Sequence, residues 1–161
     1  MPRARVDKFA ERRAELGEAA LQTLATLGYA RTSLREIAQN SEFSHGVLHY
    51  YFSDKTALIV CSVRQYTARC VTRYDQVTAS ATTAQALADG FVAALGDTLR
   101  DEAHMHRLWY DLRSQALFEE AFRADVAEMD KSLESMIWRI LSRYAELSGK
   151  ALLLPASCLY A

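Results

Sequence analysis

The residues best placed to do chemistry with a partner lie in Phe43-Ser-His-Gly-Val-Leu-His-Tyr-Tyr-Phe52. If Phe43, Leu48 and Phe52 anchor a short helix on an apolar core, then His45, Gly46, Val47, His49 and Tyr50 face outward near its N-terminal end. That set mixes imidazole and phenol hydrogen-bonding groups with an apolar contact. Its glycine lets another surface come close. A short helix of this kind, preceded by a tight turn and a second short helix, has the helix-turn-helix geometry that sets a recognition helix into the DNA major groove. The bland alternative for His45 and His49 is a pair of solvated surface histidines. Of Tyr50, Tyr51 and Phe52, at least one must be core in any case, and that place is assigned to Phe52.

Other reactive side chains form no convincing constellation. His104 and His106 precede Trp109 and Asp111, and imidazole and carboxylate are metal-ligand types. Helical positions two apart point to different faces, so polar or pocket-lining roles are expected there and no metal. Cys61, Cys70 and Cys158 are odd in number and widely spaced, with no CxxC pair, which fits a reducing cytoplasm better than a disulfide framework or a zinc site. Cys61 and Cys70 read as small buried hydrophobes. No local motif marks a Ser-His-Asp, Cys-His or paired-carboxylate site, so neither catalysis nor a cofactor is expected.

The elements that position the outward set follow from apolar spacing. Phe9, Leu16, Ala20, Leu24 and Leu27 share one face of a first helix over 7–27, and Gly28 stands where a left-handed C-cap is needed. Ser33 and Glu36 are at capping-box spacing, so a second, short helix starts near Ser33. Gln39-Asn-Ser-Glu42 interrupts it, and Ser44 caps a third over 44–50. Asp54 caps a fourth, predicted to run to about Val77 through Leu58, Ile59, Val63 and Tyr66, with a small polar loop over 78–83. Further helices are predicted over 83–101, 104–114 and 118–147, closed by Gly149.

With these elements in place the chain resembles the tetracycline repressor (TetR) family of transcriptional regulators. The resemblance is carried by Thr32-Ser-Leu-Arg-Glu-Ile-Ala38, Phe43-Ser44, Gly46-Val-Leu48 and Tyr51-Phe-Ser-Asp-Lys-Thr-Ala-Leu58, in order and spacing over about 9–58. It implies phosphate contacts from Thr32, Ser44, His49, Tyr50 and Lys55, and base-edge contacts from His45, Gly46 and Val47. That division suits hydroxyls, helix-start N–H groups and a lysine on one side, and groove-projecting side chains on the other. Thr32 and Lys55 could equally serve as helix caps, a role compatible with phosphate contact. Glu42 stands where the family often has glycine, and His49 where it often has tyrosine. Glu42 is expected either to weaken DNA affinity or to hold Arg35 in a salt bridge, and Arg3 and Arg5 to form a basic arm toward the minor groove or backbone.

The bulk composition agrees. The chain has 161 residues, 50% hydrophobic, with only six glycines and two prolines, which favours an all-α protein with cores of ordinary size. Its net charge of −1 excludes a nonspecific nucleic-acid coat, while five basic residues against two acidic ones over 1–13 put local positive charge at the helix-turn-helix end. No apolar run approaches the roughly 18 residues of a membrane span, so no membrane partner is expected. The expected organisation is a DNA-binding head over 1–53 and a helical ligand-binding and dimerisation body over 54–161. In the body, Tyr66, Phe91, Trp109 and Phe122 come from four helices that could converge on an apolar or aromatic small-molecule effector. The resemblance implies a homodimer on a near-palindromic operator. The family's dimer face is usually built after the seventh helix, so the body is expected to be incomplete at its C-terminus. The apolar run Leu152-Leu-Leu154 with Leu159 and Tyr160 is expected to be ordered and to associate. Two readings compete: a helical enzyme that kept only the form of the head, and an interaction module that does not bind DNA.

Overall fold

A computed structural model describes the backbone of residues 2–160 and the side chains of residues 8–160, and every regular element among them is an α-helix. The side chains of Arg3 and Arg5, expected as a basic arm, lie outside the described residues. In chain order the helices are α1 (Pro2–Arg31), α2 (Leu34–Gln39), α3 (His45–Tyr51), α4 (Lys55–Cys70), α5 (Asp75–Ser80), α6 (Ala84–Asp101), α7 (Ala103–Ala116), α8 (Glu120–Ser148) and α9 (Ala156–Tyr160). They form two compact units, Met1–Tyr66 with His104–Val126, and Thr67–Ala103 with Ala127–Ala161.

In the first unit Leu16, Ala20 and Leu24 recur at intervals of four on α1 and are fully buried, as are Ile37, Leu48 and Leu58 on the three helices that follow. Each leucine so buried contributes roughly 1.5–3 kcal/mol, so this apolar register fixes the rotation of every short helix. Gly28 takes φ +73° and ψ 172° and breaks the α1 ladder, after which one more turn forms. The break leaves the Tyr29 N–H without its helical acceptor, and Asp111 Oδ2 on α7 accepts it at 2.8 Å. At α2, Ser33 Oγ accepts from the Glu36 N–H at 3.3 Å, the cap that the spacing predicts, and its hydroxyl donates to the Glu36 carboxylate. Asp54 Oδ1 caps α4 by accepting from the Ala57 N–H at 2.8 Å.

In the second unit Tyr74, Met136 and Ile140 form a buried cluster packed by Val71, Phe91, Leu95, Leu133 and Ile137. The fourth helix does not continue to Val77: it stops at Cys70, and a tight segment leads into α5. Three-residue hydrogen bonds from Arg73 N–H to Cys70 O and from Asp75 N–H to Thr72 O make the turn, which sends the Tyr74 ring into the core, 5.0 Å from Phe91 at 72°. Arg139 on α8 donates to the Val71 carbonyl freed by the break and pairs with Asp75 at 2.9 Å. The loop expected over 78–83 shrinks accordingly to the residues between α5 and α6. Thr83 Oγ1 caps α6 from the Ala86 N–H at 3.1 Å. Gly149, at φ +67°, ends α8, and in the tail Tyr160 donates to Asp130 Oδ1 at 2.6 Å.

Candidate nucleic-acid interface

The surface around α3 is built from its buried side. Phe43 in the preceding turn, Leu48 in the helix and Phe52 after it are 9%, 0% and 1% exposed. Two arginines of α1 fasten this side from the edge. The Arg12 guanidinium lies 4.7 Å from the centre of the Phe43 ring, and that of Arg13 lies 4.3 Å from Phe52 while donating to the Tyr51 carbonyl at 2.7 Å. Ser44 Oγ caps the helix, accepting from the Val47 N–H at 3.3 Å. With α3 held at both ends its rotation is set, and His45, Gly46, His49 and Tyr50 are exposed while Val47 is half-buried.

The outward residues are arranged rather than merely exposed. The rings of His45 and His49, one helical turn apart, meet edge to face at 4.4 Å and 84°. Tyr50, 74% exposed, leans on Tyr51 at 5.0 Å, and Tyr51 stacks at 4.8 Å on Phe9 of α1. Glu42 and Arg35 are both exposed, and among the described residues they form no ion pair with each other. The salt bridge expected between them is therefore absent, and Glu42 leaves an uncompensated negative charge beside the turn.

Thr32 and Lys55 sit differently from the other sequence candidates. Thr32 is 2% exposed, and its hydroxyl donates to the Gly28 carbonyl at 2.7 Å, closing the turn that follows the kink. Lys55 Nζ donates to the Tyr29 carbonyl at 3.1 Å and lies 4.0 Å from the centre of the Tyr29 ring. Both residues thus serve the 28–32 turn, with two of the three ammonium donors of Lys55 left over.

Sequence reasoning missed Tyr29 and Asp111, which hold that turn. The buried Tyr29 phenol donates to Glu119 Oε2 at 3.0 Å, and its ring meets Phe122 edge on at 5.0 Å. Burial pushes its pKa above the ordinary phenol value; a hydrogen bond with Thr56 opposes this and the Glu119 carboxylate adds to it, so the hydroxyl stays a donor. The only local signal was an aromatic residue directly after Gly28. The partners lie 82 and 90 positions away.

The four expected effector-lining aromatics are not brought together within one unit. Tyr66 and Trp109, half-buried, and Phe122, 1% exposed, fall in the first unit, whereas Phe91 falls in the second. There Phe91 lines an apolar groove of about 310 Å³ between α6 and α8, with Leu87, Val92, Ile137, Ile140 and Tyr144. Among the described residues no group of three His, Cys, Asp or Glu side chains is placed to hold a metal, and no helix is long and apolar enough to cross a membrane.

Residues 16–60, the segment containing the capped α2, the turn and the pinned α3, match the family of bacterial regulatory proteins named tetR. The chain carries a TetR-family N-terminal domain. The regulator BetI of Burkholderia thailandensis is 29% identical over 113 residues, a stretch that is 70% of this chain and 58% of BetI. The chain thus matches little more than half the length of that relative. Among solved structures, the fold is similar to Bacillus subtilis FadR in complex with stearoyl-CoA, with a TM-score of 0.71 at 17% identity over 89% of this chain and 76% of that one. It is also similar to the ketosteroid regulator KstR2 of Mycobacterium tuberculosis, with a TM-score of 0.64 at 21% identity over 92% and 76%.

Proposed function

We propose that the chain is a sequence-specific, DNA-binding transcriptional regulator of the TetR type, with residues 1–53 as the DNA-binding domain and 54–161 as a ligand-binding and dimerisation body. The observation that carries this reading is the pinned α3: its apolar side is buried on Phe43, Leu48 and Phe52, and its outward side is a contiguous set of groups suited to a groove. Ser44, Tyr50 and the spare donors of Lys55 approach phosphates, His45, Gly46 and Val47 approach base edges, and His49, one turn after His45, lies between the two sets. Thr32 acts behind this surface by closing the 28–32 turn. Two such heads in a homodimer read half-sites of a near-palindromic operator about one helical turn, roughly 34–36 Å, apart.

The protein acts in the cytoplasm as a repressor, released by an apolar or aromatic small molecule that binds one arrangement of the heads better than another. Support for an apolar effector comes from the groove lined by Phe91, and from the structural relatives, one of them in complex with stearoyl-CoA and another a ketosteroid regulator. The test is binding, by fluorescence anisotropy at fixed salt, to duplexes from the region upstream of its own coding sequence and to random duplex. Preference for one duplex, lost on adding an apolar ligand, is the expected result. Equal affinity for all duplexes, in protein that circular dichroism shows to be helical, would overturn the reading.

A further inference from the structure

We propose that His45 and His49 read DNA together, as one unit aimed at the acceptor-only major-groove edge of a guanine; this rests on the DNA-binding reading above. The two rings belong to consecutive turns of α3, are both exposed, and touch edge to face at 4.4 Å and 84°. Such a contact points the rim of one ring at the face of the other, so each limits the other's rotamers before a partner arrives.

The chemistry of the pair selects the base. A neutral imidazole carries one N–H donor and one acceptor, and a charged one carries two donors, so the pair presents donors in every protonation state. Guanine offers two adjacent acceptors, N7 and O6, whereas adenine sets a donor beside its N7, cytosine presents a donor, and thymine a single acceptor beside a methyl group. With an N–H of each ring turned to the groove, guanine is the base whose edge satisfies two donors side by side.

Gly46 lies between the two histidines in sequence, and it supplies an independent observation. A Cβ built there meets nothing nearer than Ser44 Oγ at 4.0 Å, and its φ is not in the left-handed region. Nothing inside the protein requires glycine, although glycine weakens a helix as short as α3. Close approach of an outside surface at this position explains it. His49 accordingly belongs with the base-reading residues rather than with the phosphate contacts.

The experiment selects binding sequences for the full chain from a pool of random duplexes, then replaces the selected guanine by 7-deazaguanine, which lacks the N7 acceptor. Wild-type, His45→Ala, His49→Ala and the double variant are compared, with circular dichroism confirming the helical content of each. The expected result is a guanine at a fixed offset, with the deaza base lowering wild-type affinity about tenfold. Either single variant should abolish that discrimination, and the double should be little worse than either, as for two residues acting as one unit. Two outcomes would overturn the pair: a deaza base without effect, or a His49→Ala variant that loses affinity for all duplexes equally while keeping the guanine preference. A selection that enriches no sequence at all would sink the DNA-binding reading and this inference with it.

Discussion

Gly28 is the position at which one added carbon does most damage. Its φ of +73° with ψ of 172° lies in a region essentially reserved for glycine, and a Cβ there would stand 3.3 Å from Asp111 Oδ2, the atom that holds the Tyr29 N–H. Gly28→Ala should therefore cost about 1–3 kcal/mol, read as a lower midpoint in thermal or urea unfolding. An unchanged midpoint would show that the turn relaxes without strain. Lys55 gives a second residue-level prediction, because its ammonium is shared between the Tyr29 carbonyl and, on the proposed reading, a phosphate. Lys55→Met should lower affinity for every duplex and reduce the slope of log affinity against log salt by about one. A slope equal to wild type would leave Lys55 with its structural bond alone.

Among the elements, what the sequence makes legible is what is fixed locally. Ser33 with Glu36, Ser44 three residues before Val47, and Asp54 before Ala57 each announce a helix start, and each makes the predicted cap. The break after Cys70 escapes such reading because apolar residues at 63, 66, 71, 74 and 77 continue a helical rhythm through it. The turn is stabilised instead by Arg139, 68 positions away, on the Val71 carbonyl. The same reason hides the Asp111 and Glu119 contacts to Tyr29, and it keeps the sequence from assigning Phe91 to a different unit from Tyr66, Trp109 and Phe122. Helical periodicity says that each ring is buried, not which neighbours bury it. The caps also make a prediction at this scale. α3 has only seven residues, too few to be stable by itself, so its geometry depends on Ser44 and on the two flanking phenylalanines. Ser44→Ala should cost about 1 kcal/mol of stability through loss of the cap. It should weaken DNA binding in addition, whereas Ser33→Ala should cost similar stability with a smaller effect on binding. Equal binding losses in the two variants would argue that α3 is held by its anchors alone.

For the whole molecule the open question of physics is what covers the apolar surface of the second unit. Leu153 is 90% exposed and Leu154 54%, and Val92, Leu99 and Tyr144 also remain in solvent on α6 and α8. The tail that carries the leucines is not frayed throughout: α9 forms, and Tyr160 is tied to Asp130 on α8. An anchored segment that still presents leucines to water suits association, since burying each is worth roughly 1.5–3 kcal/mol and several across a two-fold axis can offset the entropy of pairing. The expectation is a homodimer in sedimentation velocity at micromolar concentration, shifted toward monomer when residues 152–161 are removed. Because the head's core residues lie in the first unit, the shortened protein should keep most of its helical signal and bind a single half-site, while losing cooperativity on a two-half-site duplex. A monomer in both forms, with the same affinity and cooperativity on DNA, would show that this surface is not where two copies meet.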